Sequence, residues 1–230
     1  MAHKIREVYI VHHSHTDVGY TDLQEQVIYN QVNNIRRAVE LIVDGLEKGT
    51  NQKGLKWNCE TWYCVEQFLK VATKEEKKAF FDLVKKNSIG LSANYLNFND
   101  LADCEYLTDK IHDMQEVCAK EGITVKTAMF ADINGISMGQ RDAMLANGVE
   151  FLYTNIHTHH GMYPLYQNQK PYFWENEDGK RLLVWSGEHY NLGNALGIVF
   201  NKNVNFMTEN YFGKAQGDVA GPLEKLHSNL

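Results

Sequence analysis

The sequence predicts an α/β protein whose strands form a parallel sheet or close into a β/α barrel. Three observations point there. Short apolar runs with strand character recur along the chain, amphipathic helical patterns fill most of the intervals between them, and no low-complexity linker, internal repeat or compositional break divides the whole. The 230 residues are 43% hydrophobic and 23% charged, which gives length and apolar content for a large core in one domain and argues against disorder.

The run Val8–Val11 reads as the first strand. The clearest helix follows from about Thr21 to Glu47, where Val27, Ile28, Val32, Ile35, Val39, Ile42 and Leu46 make a stripe at three-to-four spacing and Gly49 is a stop. Strands are expected at Leu55–Trp57 and Ile89–Leu91, with helical patterns at Glu60–Val71 and Lys74–Lys86 between them. A helix over Asp103–Lys120, ending near Gly122, leads to a strand at Thr127–Phe130. Another over Met138–Asn147, ending at Gly148, leads to a strand at Phe151–Tyr153. Gln169-Lys170-Pro171 and Glu177-Asp178-Gly179-Lys180 read as turns around Tyr172-Phe173-Trp174, a hairpin or loop excursion ahead of the strand Leu182–Trp185. The pattern weakens after Gly193, and Gly213–Leu230 reads as a helix, a mobile tail or the severed start of a larger region.

A formal charge of −6 supplies no general attraction for nucleic acid or an anionic membrane, so a neutral or weakly polar substrate fits better. No apolar run reaches the roughly 18 residues that would span a bilayer, and Met1-Ala2-His3-Lys4 passes straight into a strand-like segment, so a cytoplasmic location is expected. Cys59, Cys64, Cys104 and Cys118 are too sparse for a disulfide scaffold and read as reduced thiols. The C-x4-C pair has no matching second pair to complete a zinc cluster.

Polar groups that bind metal, protons or sugar hydroxyls follow nearly every expected strand. His13-Ser14-His15-Thr16-Asp17 comes first, and in an extended backbone its alternate residues share a face, so two imidazoles and a carboxylate can aim at one point. The bland alternative is a solvated turn. Glu60 and Trp62 follow the second strand, and Asn94, Tyr95, Asn97 and Asn99 the third. Asp132 follows the fourth, His157, His159 and His160 the fifth, and Glu188, His189 and Asn191 the sixth. This is the pattern of a barrel's active face. Asp132 is the best partner for the opening motif, its competing role being to cap the next helix or turn. The histidine group in the fifth loop is a weaker metal candidate. Among the aromatic residues, Trp62, Trp174 and Trp185 more often complete a core, whereas Tyr20 sits beside the metal motif as a platform for a sugar face.

With His15-x-Asp17 and Asp132 together, the sequence resembles the N-terminal catalytic domain of glycoside hydrolase family 38, the zinc-dependent retaining α-mannosidases. The matching stretches are His13-Ser14-His15-Thr16-Asp17-Val18-Gly19-Tyr20, Trp57-Asn58-Cys59-Glu60, Ala131-Asp132-Ile133-Asn134-Gly135, and Tyr172-Phe173-Trp174 with the Asp178-Gly179 turn, in the family's order. The resemblance implies an irregular seven-stranded β/α barrel of the glycoside hydrolase and deacetylase type, here complete or incomplete. Residues 1–230 would be one catalytic-type domain, the N-terminal part of a larger glycosidase. It implies zinc held by His15, Asp17 and Asp132, with Asp132 also the nucleophile, and substrate contacts from His13 and Tyr20. The family's fourth ligand, a histidine, and its general acid would fall beyond Leu230, with Glu188, Glu60 and Asp100 as local substitutes for the acid. Val18-Gly19-Tyr20 stands where the family usually has Pro-Gly-Trp, and Ile133-Asn134-Gly135-Ile136 lacks the family's Phe-Gly-His. A metal-dependent carbohydrate deacetylase and a non-catalytic carbohydrate-binding fragment remain the other readings of the same residues.

Overall fold

Among the described residues eleven helices and strands follow one another, and three of the five helices start at a side-chain cap. The computed structural model of the chain describes residues 7, 9–49, 54–97, 102–133, 135–155, 169–187 and 190. Helix α1 (Gln24–Lys48) buries Val27, Val32, Ile35, Ala38 and Ile42 and ends at Gly49, whose left-handed backbone (φ 62°) lets its N–H donate to Gly45 O. It starts three residues after the expected Thr21, past a turn over residues 18–20. Leu46, expected in the apolar stripe, is 53% exposed.

Strand β1 (Trp57–Asn58) precedes helices α2 (Trp62–Val71) and α3 (Lys74–Lys85), and strand β2 (Ile89–Gly90) follows them. Thr73 and Glu76 form a reciprocal capping box at the start of α3, which satisfies two amides left over by the first turn. Helix α4 (Cys104–Lys120) is capped by Asp103, which accepts from the Glu105 and Tyr106 amides. Strand β3 (Thr127–Ala131), helix α5 (Met138–Ala146) and strand β4 (Phe151–Asn155) complete a β/α/β unit, with Ser137 capping α5. Strands β5 (Lys170–Glu175) and β6 (Arg181–Gly187) form the expected hairpin. Asn176 Oδ1 accepts from the Asp178 and Lys180 amides in its turn, and Gly179 takes a positive φ.

The sheet order is β1-β2 and β3-β4-β6-β5, every pair parallel except β5 with β6. The two sheets are stitched by the segment after β2: Ala93 N–H donates to Thr127 O, Thr127 Oγ1 to Leu91 O, and Met129 N–H to Ser92 Oγ. The described strands thus form an open arc. The seven-stranded barrel expected from the family resemblance is not found among the described residues. The arc ends where β5 folds back antiparallel on β6, and Pro171, which cannot donate to a ladder, fits that edge position.

The expected strand at Val8–Val11 is also corrected. Val8 lies outside the described residues, and Tyr9, Ile10 and Val11 form no strand. Pairing begins later, at a parallel bridge between His13 and Asn58, where Asn58 N–H donates to His12 O. β1 is two residues long, so only the chain level with it can pair.

Chain contacts divide the protein into residues 11–187 and a second unit of residues 1–10 with 188–230. In the larger unit Phe68, Phe80, Met114, Phe130, Met144, Leu182 and Val184 are fully buried in one apolar cluster shared by helices and strands. Buried Arg141 ties α5 to the hairpin: Nη1 donates to Glu175 O and the guanidinium lies 5.3 Å from the Trp174 ring centroid. The expected tail at Gly213–Leu230 lies outside the described residues.

Gly90 sits where a Cβ would overlap Asn58 Oδ1, and that amide is anchored because Asn58 Nδ2 donates to His12 O (3.2 Å). Gly90→Ala is expected to cost roughly 1–3 kcal/mol by overpacking. The check is a lowered urea midpoint at unchanged slope, partly restored when Asn58→Ala is added.

Candidate metal centre

The parallel arc delivers its polar residues to one edge, the C-terminal ends of the strands. The bridge at Asn58 holds His13 level with β1, and alternation along the extended chain brings His15 and Asp17 forward. Glu60 comes two residues after β1, Asn94 and Asn97 follow β2, and Asp132 follows β3 directly. At Asp132 the backbone turns through the left-handed region (φ 63°), which aspartate tolerates better than most residues, and its N–H donates to Asn155 O at the end of β4. The following helix draws its cap from Ser137, which accepts from the Gln140 amide (3.0 Å), so the capping role open to Asp132 is already filled.

His15, Asp17 and Asp132 each place a donor atom within 4.8 Å of the others. His15 Nε2 lies 3.4 Å from Asp17 Oδ1 and 3.5 Å from Asp132 Oδ2, with all three side chains between 13% and 29% exposed. On its other side His15 Nδ1 donates to Glu60 Oε1 at 3.0 Å. Thr16 N–H donates to the same oxygen (3.2 Å), as does Asn97 Nδ2. His13 Nδ1 stands 2.6 Å from Glu60 Oε2, and the Glu60 side chain is fully buried. Gln31 Nε2 donates to His15 O (2.8 Å) and Asn34 Nδ2 to Ser14 Oγ (3.0 Å), so helix α1 fixes the motif's backbone from outside.

Burial alone would raise the Glu60 carboxyl, but the contacts with His13 and His15 overcome it and bring it down to about 2. Burial likewise opposes charge on His15, yet the Glu60 hydrogen bond and charge, with Asp17 and Asp132, hold its imidazolium above the ordinary histidine range. An ionised Glu60 only accepts, so both imidazoles turn a protonated Nδ1 toward it. With Nδ1 committed to Glu60, His15 turns Nε2 toward two carboxylates, whose charge is balanced either by the imidazolium itself or, when that proton is displaced, by a bound cation.

A metal cation fits that demand. A tetrahedral zinc with bonds of about 2.0–2.2 Å sets its ligand atoms about 3.3–3.6 Å apart, the range in which His15 Nε2 stands from both carboxylates. Three carboxyl groups gather around two imidazoles here, and a divalent ion held among them would offset their charge. A histidine that donates its second nitrogen to a carboxylate is the usual outer support of such a ligand.

Of the residues singled out from sequence, the structure brings His15, Asp17 and Asp132 together and places His13 against Glu60. Tyr20 is 89% exposed on the turn beyond Asp17 and contributes no donor to this group. Trp62 is buried in the core. His157, His159, His160, Glu188, His189, Asn191, Asp100 and Asn99 lie outside the described residues. The bridging role of Glu60 and the part played by Asn97 were missed. Their positions after strand ends were a signal, but nothing local names their partners.

These features define a β/α domain with histidine and carboxylate donors gathered at the C-terminal ends of parallel strands. The family described as Glycosyl hydrolases family 38 N-terminal domain matches residues 6–221, and the chain belongs to that family. No curated protein matches it. Among solved structures it is similar to an alpha-mannosidase from Enterococcus faecalis V583 (TM-score 0.63, 16% identity, 87% of this chain and 22% of that one). It is also similar to a glycosyl hydrolase family 38 protein from Enterococcus faecalis (TM-score 0.56, 14% identity, 96% and 27%). A third similar structure is a 4-alpha-glucanotransferase from Thermococcus litoralis (TM-score 0.51, 15% identity, 78% and 27%). The chain thus spans about a quarter of the length of these structures, and at such identities they bear on fold alone.

Zinc added to metal-stripped protein is expected to raise the melting temperature, by about 2.7 kcal/mol of stability at a hundredfold excess over the dissociation constant. His15→Ala should abolish the shift. Differential scanning calorimetry with and without a chelator reads both.

Proposed function

We propose that this chain is the front part of the catalytic domain of a zinc-dependent retaining glycoside hydrolase of the α-mannosidase type, acting on carbohydrate in the cytoplasm. The observation that carries the reading is the convergence of His15 Nε2, Asp17 and Asp132 at the strand ends of a family 38 domain. His15, Asp17 and Asp132 would hold the metal. Bound there, zinc supplies Lewis-acid charge that grips sugar hydroxyls and favours a distorted ring. Tyr20 offers an exposed aromatic face for the sugar, and His13 supports the site from behind through Glu60.

Asp132 is the nucleophile in this reading. One of its oxygens bonds to the anomeric carbon as the bond to the leaving oxygen breaks, and a general acid gives that oxygen its proton. Water then hydrolyses the glycosyl ester, returning the proton to the same acid. Glu60 does not suit the acid's role, because it is buried and kept ionised by the groups around it. The acid is then a carboxyl outside the described residues, Glu188 or one further along a longer chain, and the fourth ligand likewise.

Two outcomes are expected of the full-length protein. Asp132→Asn should lower turnover of an aryl α-mannoside on the order of 10⁴-fold or more, since a nucleophile is lost outright. An activated fluorosugar should label the peptide that holds Asp132, read by mass spectrometry. Labelling elsewhere, or undiminished turnover by the variant, would sink the reading.

A further inference from the structure

Glu60 and Asn97 are not among the metal donors, yet together they join the two parts of the site that carry them. Glu60 Oε1 accepts from His15 Nδ1 (3.0 Å), Thr16 N–H (3.2 Å) and Asn97 Nδ2, while Oε2 faces His13 Nδ1 (2.6 Å) and His15 Nδ1 (3.3 Å). Asn97 Oδ1 accepts in turn from Ala131 N–H (3.3 Å), the residue before Asp132, and from Asn94 Nδ2 (2.9 Å). The orientation of the Asn97 amide follows from chemistry. A carboxylate only accepts, so the NH2 end must meet Glu60, and the carbonyl end must meet the two N–H donors. Asn94 is itself buried and anchored, its Nδ2 also donating to Met129 O (3.1 Å) in β3.

We propose that Glu60, clamped by Asn97, is a positioning residue that fixes the ring and tautomer of His15 and couples it to the main chain carrying Asp132. With a proton held on Nδ1 by Glu60, the neutral form of His15 carries its lone pair on Nε2, the nitrogen turned toward Asp17 and Asp132. Asn97 sets the distance between that imidazole and the end of β3. His13 shares the same carboxylate, so the two imidazoles hold one another's support in place. The inference rests on the metal reading above, because a fixed Nε2 lone pair matters only if something binds it.

Glu60→Gln keeps shape and volume but removes the charge and turns one acceptor into an NH2 donor, so one imidazole must give up its Nδ1 proton. In the full-length protein, stripped and titrated with zinc alone, this variant should lose about 10- to 100-fold in metal affinity while its metal-free circular dichroism is kept. With cobalt as the probe, its visible absorption bands should change in position or intensity, which a merely structural residue would not cause. Asn97→Ala leaves the charge and removes the clamp, so a smaller loss in the same direction is expected. It decides the matter if Glu60→Gln does not fold. Unchanged zinc affinity and an unchanged cobalt spectrum in the folded variants would overturn the positioning role alone. A wild-type protein that binds neither ion would overturn the metal reading beneath it.

Discussion

The structure around the site depends on one buried anion. A carboxylate removed from water is tolerated only where donors surround it, and leaving it unpaired would cost several kcal/mol. The Glu60 side chain is fully buried, and its donors come from sequence neighbourhoods that have no other reason to meet: His13, His15 and Thr16 from the opening motif, and Asn97 from the loop after β2. Satisfying Glu60 therefore fixes the first motif beside β1 although no strand of its own is present among the described residues before it. The single bridge at His13 would be weak alone; the charged network and the contacts from α1 hold that chain in register.

The same constraint explains how the second half of the site is placed. Residues 91–97 carry few ladder bonds, but they stitch β2 to β3 through Ala93, Ser92 and Thr127, and Asn97 passes the connection from Glu60 to Ala131. Ala131 pairs with Asn155 and Asn155 with Gly187, so the ends of β3, β4 and β6 are level. Asp132 leaves that level edge through a left-handed turn with its amide tied to Asn155 O. Its carboxylate is positioned by backbone pairing on one side and by a polar side-chain chain on the other.

Much of this was legible in the sequence, and the part that was not has a physical cause. Helices α3, α4 and α5 were readable because helical spacing and the stops at Gly122 and Gly148 are local signals, and the structure adds the caps at Thr73, Asp103 and Ser137. The hairpin was readable from the Asp178-Gly179 turn, whereas Lys170 and Pro171, read as part of a turn, belong to β5. Val8–Val11 misled because an apolar run signals burial, whereas pairing depends on what lies alongside, and β1 offers only two residues. The described residues bear out the mixed α/β class without a closed barrel, and closure was the harder thing to read because it depends on partners distant in sequence. His15, Asp17 and Asp132 stood out by residue type and by position after strands. Glu60 and Asn97 did not disclose their roles, because their hydrogen bonds bridge 45 and 37 residues respectively, and no periodicity encodes such a pairing.

Burial and charge at this site divide the work between two layers. Glu60 lies inside, where low dielectric strengthens its contacts with the imidazoles and holds it ionised near 2, so it can act on His15 but has no route to a substrate. Asp17 and Asp132 stand on the outer side of the same ring, 29% and 23% exposed, close enough to water to exchange ligands and close enough to His15 to share one cation. Among the described residues the His15 imidazole faces both layers, with Nδ1 against Glu60 and Nε2 toward Asp17 and Asp132. A donor set built this way keeps its geometry when the outer side changes occupant, which is what the proposed metal and sugar would require of it.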